Sequence, residues 1–283
     1  MAKIQIVTDA GADLTKEEMQ KYNVDVLPIK IIAKDKEYLS GVNMFSDEFY
    51  ELLENCDEIP HTSQPSTAEI YDLLVKHIKE GKEVLALTIS SKASGLNNNM
   101  HIAKNMILEE YPDAVIEIFD TMHLSYTYGW PVLIAAELAE EGKSIPEILE
   151  AVKKHMDEHD VYFIPQSLDY LEKGGRINKA SLVFGNVLDI VPVLTLRNGL
   201  VESIGKLRGR KKLAKKLFQY LCDNAPDQSG NELLIINGKM DAECAELEEL
   251  LKEKYGDIKI RYAKVGATIA THIGPVFAIY FKK

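Results

Sequence analysis

Apolar residues in the first half of the chain fall into short β-branched runs at 4–7, 26–32, 84–89 and 115–119. Between them, apolar residues recur every three to four positions, the period of a helix with one buried face. Strand-length runs alternating with helical segments predict βαβ units and a parallel sheet. Helix starts are marked by capping-box spacing, with Thr15 before Glu18, Ser66 before Glu69 and Ser144 before Glu147. Around residues 158–160 the rhythm breaks. Apolar runs at 161–164, 193–196 and 201–204 follow, the last two separated by Asn198-Gly199, a hairpin signal. Further strands are expected at 233–236, 258–265 and 276–281, with a helix over 241–254. The second half therefore reads as a mixed sheet. The reading is an α/β protein of two domains, residues 1–158 with a parallel sheet and residues 159–283 with a mixed one.

Composition narrows the classes. A length of 283 residues favours two domains, and 46% hydrophobic residues supply an ordinary packed core rather than a disordered chain. Asp and Glu number 44 against 33 Lys and Arg, a net charge of −11, which argues against a nucleic-acid surface, because neutralising phosphates needs a basic footprint. No apolar run approaches the ~18 residues that would span a bilayer, and the chain moves into its first strand without a signal-peptide apolar region. A cytoplasmic protein without stable membrane insertion is the expectation. Cys56, Cys222 and Cys244 are widely spaced and odd in number, so free thiols are expected.

Two loops carry the candidate chemistry. His61-Thr62-Ser63-Gln64-Pro65-Ser66 leads into a capped helix, and Ser90-Ser91-Lys92-Ala93-Ser94-Gly95 follows a predicted strand, with Ser94 at the expected N-cap. Hydroxyls and free amides at helix starts stabilise a carboxylate or phosphate. If both loops end neighbouring parallel strands, they face the crevice where open α/β sheets bind ligands. Each is also explained by capping alone. Ser94 as a hydrolytic nucleophile is the enzymatic alternative, but no G-x-S-x-G elbow surrounds it. The double glycine Gly174-Gly175 predicts a left-handed helix end that presents Arg176, and Arg208 follows the predicted hairpin. Guanidinium forks suit carboxylates and phosphates, though isolated arginines are commonly surface cations. His272, before Gly274-Pro275, could hydrogen-bond an anion. Three other patterns lead nowhere specific. His155-Met156-Asp157-Glu158-His159 matches H-x-x-E-H but lies on a helix with core spacing, residues 199–207 have the wrong spacing for a P-loop, and Lys211 to Lys216 read as a solvated helix face.

Taken in order, these segments resemble the DegV family of bacterial fatty-acid-binding proteins, the EDD fold. The matching pieces are Val7-Thr8-Asp9 with Ala12-Asp13-Leu14, Thr62 to Ser66, Ser90 to Gly95, Leu171 to Arg176 with Ile177 to Ala180, Lys206 to Gly209, and His272 with Gly274-Pro275. The chain departs from the usual family pattern at Ala10-Gly11, Leu96-Asn97 and Val276-Phe277. The resemblance implies an N-terminal three-layer α/β/α domain, a C-terminal two-layer α/β domain with a mixed sheet, and a ligand between them. It implies that Thr62, Ser94 and His272 bind the carboxylate of a fatty acid such as palmitate, stearate or oleate, supported by the loops at Ser63 and Gly95. It implies further that Arg176 and Arg208 serve a separate ATP-dependent kinase subunit, which makes an acyl phosphate for phospholipid metabolism. The chain itself would then have no catalytic residue, cofactor or metal. An acyl hydrolase using Ser94 and His272 stands as the alternative.

Overall fold

The computed structural model describes residues 3–34, 36–56, 58–177 and 190–283. Of the segment quoted above as Ile177 to Ala180, residues 178–180 lie outside the described residues. The first half runs β1 (Ile4–Asp9), a 3-10 turn (Ala10–Ala12), α1 (Lys16–Lys21), β2 (Asp25–Leu27), β3 (Ile29–Ala33), β4 (Lys36–Ser40), α2 (Ser46–Glu54), β5 (His61–Ser63), α3 (Thr67–Lys79), β6 (Glu83–Thr88), α4 (Leu96–Glu110), β7 (Ile116–Asp120), α5 (Tyr126–Glu140) and α6 (Ile145–Glu158). The second half runs β8 (His159–Pro165), α7 (Asp169–Gly174), β9 (Ile190–Arg197), β10 (Leu200–Arg208), α8 (Leu213–Asn224), β11 (Glu232–Gly238), α9 (Asp241–Tyr255), β12 (Lys259–Lys264), α10 (Ala267–Ile273) and β13 (Val276–Lys282).

The N-terminal sheet is parallel, in the order β2-β1-β6-β7. Its central strands are nearly continuous apolar runs because both faces are covered, by α3 and α4 on one side and α5 and α6 on the other. The three capping boxes form as their spacing predicts, at Thr15, Ser66 and Ser144. At the first, the Glu18 amide donates to Thr15 Oγ1 at 3.1 Å while the Thr15 amide donates to Glu18 Oε2 at 2.9 Å.

The run at 26–32 is not one strand. Pro28 has no N–H to give a ladder, and the chain divides there: β2 joins the parallel sheet while β3 pairs antiparallel with β4 and β5 in a separate three-stranded sheet. This side sheet carries Thr62 in register with Ile31.

The C-terminal sheet is mixed, in the order β10-β9-β8-β13-β11-β12. The β9–β10 hairpin turns on Asn198 and Gly199 at φ 50° and 80°, the double left-handed geometry that Asn-Gly favours. Alternation splits this sheet between two cores. Tyr162, Ile164, Phe277, Ile279 and Phe281 pack with the apolar faces of α8 and α9. Val161, Phe163, Val276, Ala278 and Tyr280 face the opposite way and join the core of the N-terminal domain. The hairpin tip also reaches across, since Ser90 Oγ donates to the Gly199 carbonyl at 2.7 Å. Two α/β domains thus share one buried interface.

Candidate functional site

Between the domains lies a cavity of about 500 Å³, and Thr62, Ser63, Ser94, Gly95, Arg176 and His272 all line it. Thr62 arrives on β5 of the side sheet and Ser94 after β6 of the parallel sheet, so the two loops do not follow neighbouring parallel strands as expected. They are nevertheless joined directly: Asn99 Nδ2, in the helix after Ser94, donates to the Pro65 carbonyl at 3.2 Å. Ser94 is also one residue short of the expected cap. The N-cap of α4 is Gly95, and Ser94 Oγ accepts the Leu96 amide at 3.2 Å while donating to Gln64 Oε1 at 3.4 Å. A Cβ on Gly95 would lie 3.0 Å from the Gln64 amide, so the glycine lets the two loops close together.

His272 sits in the last turn of α10, with Nε2 hydrogen-bonded to Thr62 Oγ1 at 2.9 Å. Burial, then the nearby Arg176 charge, pushes its pKa down to about 4, so the ring is neutral near pH 7. A neutral imidazole can offer either a donor or an acceptor to Thr62, leaving that hydroxyl free to turn toward an anion.

Helix α7 ends at Gly175 in the left-handed region (φ 67°), as the double glycine predicts. The following Arg176 is partly buried, donating from Nε to the Ala93 carbonyl at 3.1 Å and from Nη1 to the Gly174 carbonyl. The guanidinium therefore ties α7 to the Ser94 loop while facing the cavity. Arg208 is not among the lining residues; it lies exposed at the end of β10.

Beyond the polar lining, Leu124, Val201, Ile269 and Ile273 line both this cavity and an almost wholly apolar void of about 50 Å³ between the domains. Val161, Phe163, Ile236 and Ala278 close the void from the C-terminal sheet. Its room is that of one or two waters. An extended hydrocarbon would lie along this seam only as the side chains repack. A polar mouth continuing into a dry seam is the layout of an amphiphile site.

Several polar residues here had no role in the sequence reading. Asp9, fully buried, accepts from the Ile89 amide at 2.8 Å, the Gly11 amide at 2.9 Å and the Tyr128 hydroxyl at 2.8 Å. It thereby braces the strand ends beneath the Ser94 loop, and burial, opposed by those hydrogen bonds, raises its pKa to about 6. Thr268, also buried, lines the cavity. The H-x-x-E-H histidines form a stack, His155 on His159 with ring centroids 4.1 Å apart. Among the described residues, no group of three or more His, Cys, Asp or Glu side chains could hold a metal ion, and no helix is long and apolar enough to cross a membrane.

The family model described as "Uncharacterised protein, DegV family" matches residues 3–283. This chain belongs to the DegV family. A DegV domain-containing protein of Clostridium perfringens is 32% identical over 271 residues, covering 96% of this chain and 95% of the relative. Among solved structures, a DegV family protein of Thermus thermophilus, whose fatty acid binding is described, superposes with a TM-score of 0.85 at 29% identity, covering 99% of this chain and 100% of that one. A stearic acid-binding protein of Eubacterium ventriosum superposes with a TM-score of 0.86 at 28% identity, covering 100% of this chain and 99% of that one. The two-domain α/β architecture is that of solved DegV structures.

Proposed function

We propose that this chain binds one long-chain fatty acid, such as palmitate, stearate or oleate, with its carboxylate on Thr62, Ser94 and His272 and its tail along the apolar seam. In this reading the domains divide at residues 158–159, and Ser63 and Gly95 shape the supporting loops. The observation that carries it is the convergence of Thr62 and His272, bonded at 2.9 Å, with Ser94 and Arg176 at the mouth of a cavity that continues into an apolar void. The Thermus thermophilus DegV protein with described fatty acid binding and the stearic acid-binding protein of Eubacterium ventriosum lend it support.

Energetics assign the two ends different tasks. Each charge-assisted hydrogen bond to the carboxylate contributes on the order of 1.5–3 kcal/mol. A tail of about 14 methylenes at ~0.8 kcal/mol each gives a gross term of ~11 kcal/mol before ordering costs. The tail supplies affinity and the head fixes orientation.

The finer proposal is a cytoplasmic carrier that presents the bound carboxylate to a separate ATP-dependent fatty acid kinase, with Arg176 at the cavity and Arg208 on the exposed strand end meeting that partner. The carrier has no catalytic residue, metal or cofactor in this reading and needs no nucleic acid or stable membrane insertion. It is favoured over a Ser94–His272 hydrolase by the hydrogen bonding, in which His272 Nε2 is engaged by Thr62 while the Ser94 hydroxyl turns to Gln64.

Organic extraction of the freshly purified protein, followed by mass spectrometry, should recover close to one fatty acid per chain. An empty extract, with no uptake of added stearate, would overturn the reading. Thr62→Ala and Ser94→Ala should each weaken retention by about ten- to a hundred-fold. Arg176→Ala should spare retention and impair phosphorylation by the kinase; equal loss of retention in all three variants would refute that division of roles.

A further inference from the structure

Two cations, Lys92 and Arg176, line the cavity between the domains, and its described lining holds no Asp or Glu although the chain has 44 of them. The two stand close together, since Arg176 Nε donates at 3.1 Å to the carbonyl of Ala93, the residue after Lys92. A fatty carboxylate carries one negative charge, and in the reading above Thr62, Ser94 and His272 hold it without either cation. The lining therefore suits a head of greater charge than a carboxylate.

The stem of Lys92 is fixed beside that lining. Its amide donates to Ser90 Oγ at 3.2 Å, Ser90 in turn donates to the Gly199 carbonyl at 2.7 Å, and a Cβ on Gly199 would lie 3.0 Å from Lys92 Cγ. The bare Gly199 thus makes room for the aliphatic part of the side chain at the hairpin tip, while Lys92 as a whole stays exposed at the cavity mouth. Ser91 and Ser94 bring hydroxyls to the same lining. Helix α4 starts after its N-cap Gly95, so its positive end adds to the field of the two cations. A phosphate monoester matches this arrangement, with about −1.5 to −2 charges at neutral pH and three strong acceptor oxygens. A cavity of about 500 Å³ has room for it.

We infer that Lys92, with Arg176, forms a subsite for a phosphate group at the head of a single-chain lipid, and that Lys92 is the residue by which the site prefers a phosphate head to a carboxylate. The inference rests on the head-group site proposed above and goes further by naming a second ligand class and the side chain that selects it.

The test loads the full chain, stripped of lipid, with equal amounts of heptadecanoic acid and hexadecyl phosphate, which carry the same alkyl chain and differ only in the head. Excess ligand is removed and what is retained is quantified by mass spectrometry. The unmodified protein should retain the phosphate about tenfold over the acid, the effect of one added charge-assisted hydrogen bond. Lys92→Gln removes a charge at an exposed position, so it should fold, retain the acid as before and cut the ratio several-fold, and Lys92→Arg should restore it. Excess inorganic phosphate should leave the ratio in place, since without a chain in the seam the free ion has only the head contacts to hold it. Equal retention of both lipids by the unmodified chain, a ratio unchanged in Lys92→Gln, or a ratio abolished by inorganic phosphate overturns the inference while leaving the carrier reading intact. Retention of neither lipid by any of the proteins overturns the carrier reading itself and this inference with it.

Discussion

Asp13 holds a left-handed backbone (φ 56°) and a buried carboxyl whose Oδ2 accepts the Ser125 hydroxyl at 2.6 Å. Burial, only partly offset by the hydrogen bond from Ser125, pushes its pKa up to about 8. Because the folded value lies above the unfolded value of 3.8, its contribution to stability is complete below that value and is lost as pH rises through about 8. His272 runs the other way. Lowered from 6.5 to about 4, it supports the fold above pH 6.5 and withdraws that support as pH falls through 4. Asp13→Asn should therefore flatten the loss of stability between about pH 5 and pH 8 by on the order of 2–4 kcal/mol, as urea unfolding at the two pH values would measure. An unchanged slope would mean that Asp13 is ionised in the fold. At this scale the sequence marked Thr62, Ser94 and His272 as candidates, because turns, helix starts and a Gly-Pro leave local marks, and the fold brings all three to one cavity. It left Asp9, Asp13 and Thr268 without roles, since their burial depends on Tyr128, Ser125 and an opposing domain distant in the chain.

Helices and strands were legible wherever period and punctuation agreed. The hairpin at Asn198-Gly199, the three capping boxes and the left-handed Gly175 all form as their residues dictate. The side sheet was not legible, although Pro28 was the signal that residues 26–32 could not run as one ladder. Strand β5, three residues long, has too little pattern to announce itself. How closely these elements dock is set by small residues. A Cβ at Gly129 on α5 would sit 2.2 Å from the Ala12 carbonyl oxygen in the turn after β1. That neighbour is backbone and cannot rotate away, so Gly129→Ala should destabilise the protein by about 2–4 kcal/mol in denaturant unfolding. A loss below about 0.5 kcal/mol would show that α5 and the turn can separate freely.

The whole molecule turns on a sheet that is apolar on both faces. One face of the C-terminal sheet packs with its own helices and the other completes the N-terminal core, so the cavity and the apolar seam exist only where the domains meet. Sequence alternation announced the strands but not the second buried face, which needs the other domain to be seen. The position of a bound carboxylate is the most direct test of the proposed function. Carbon-13 NMR of stearate labelled at the carboxyl carbon and bound to the protein should give a single resonance displaced from that of the free acid. In the Thr62→Val, Ser94→Ala double variant that resonance should return to the free position. A bound resonance indistinguishable from the free acid, or one that the double variant leaves in place, would contradict a carboxylate held by these side chains.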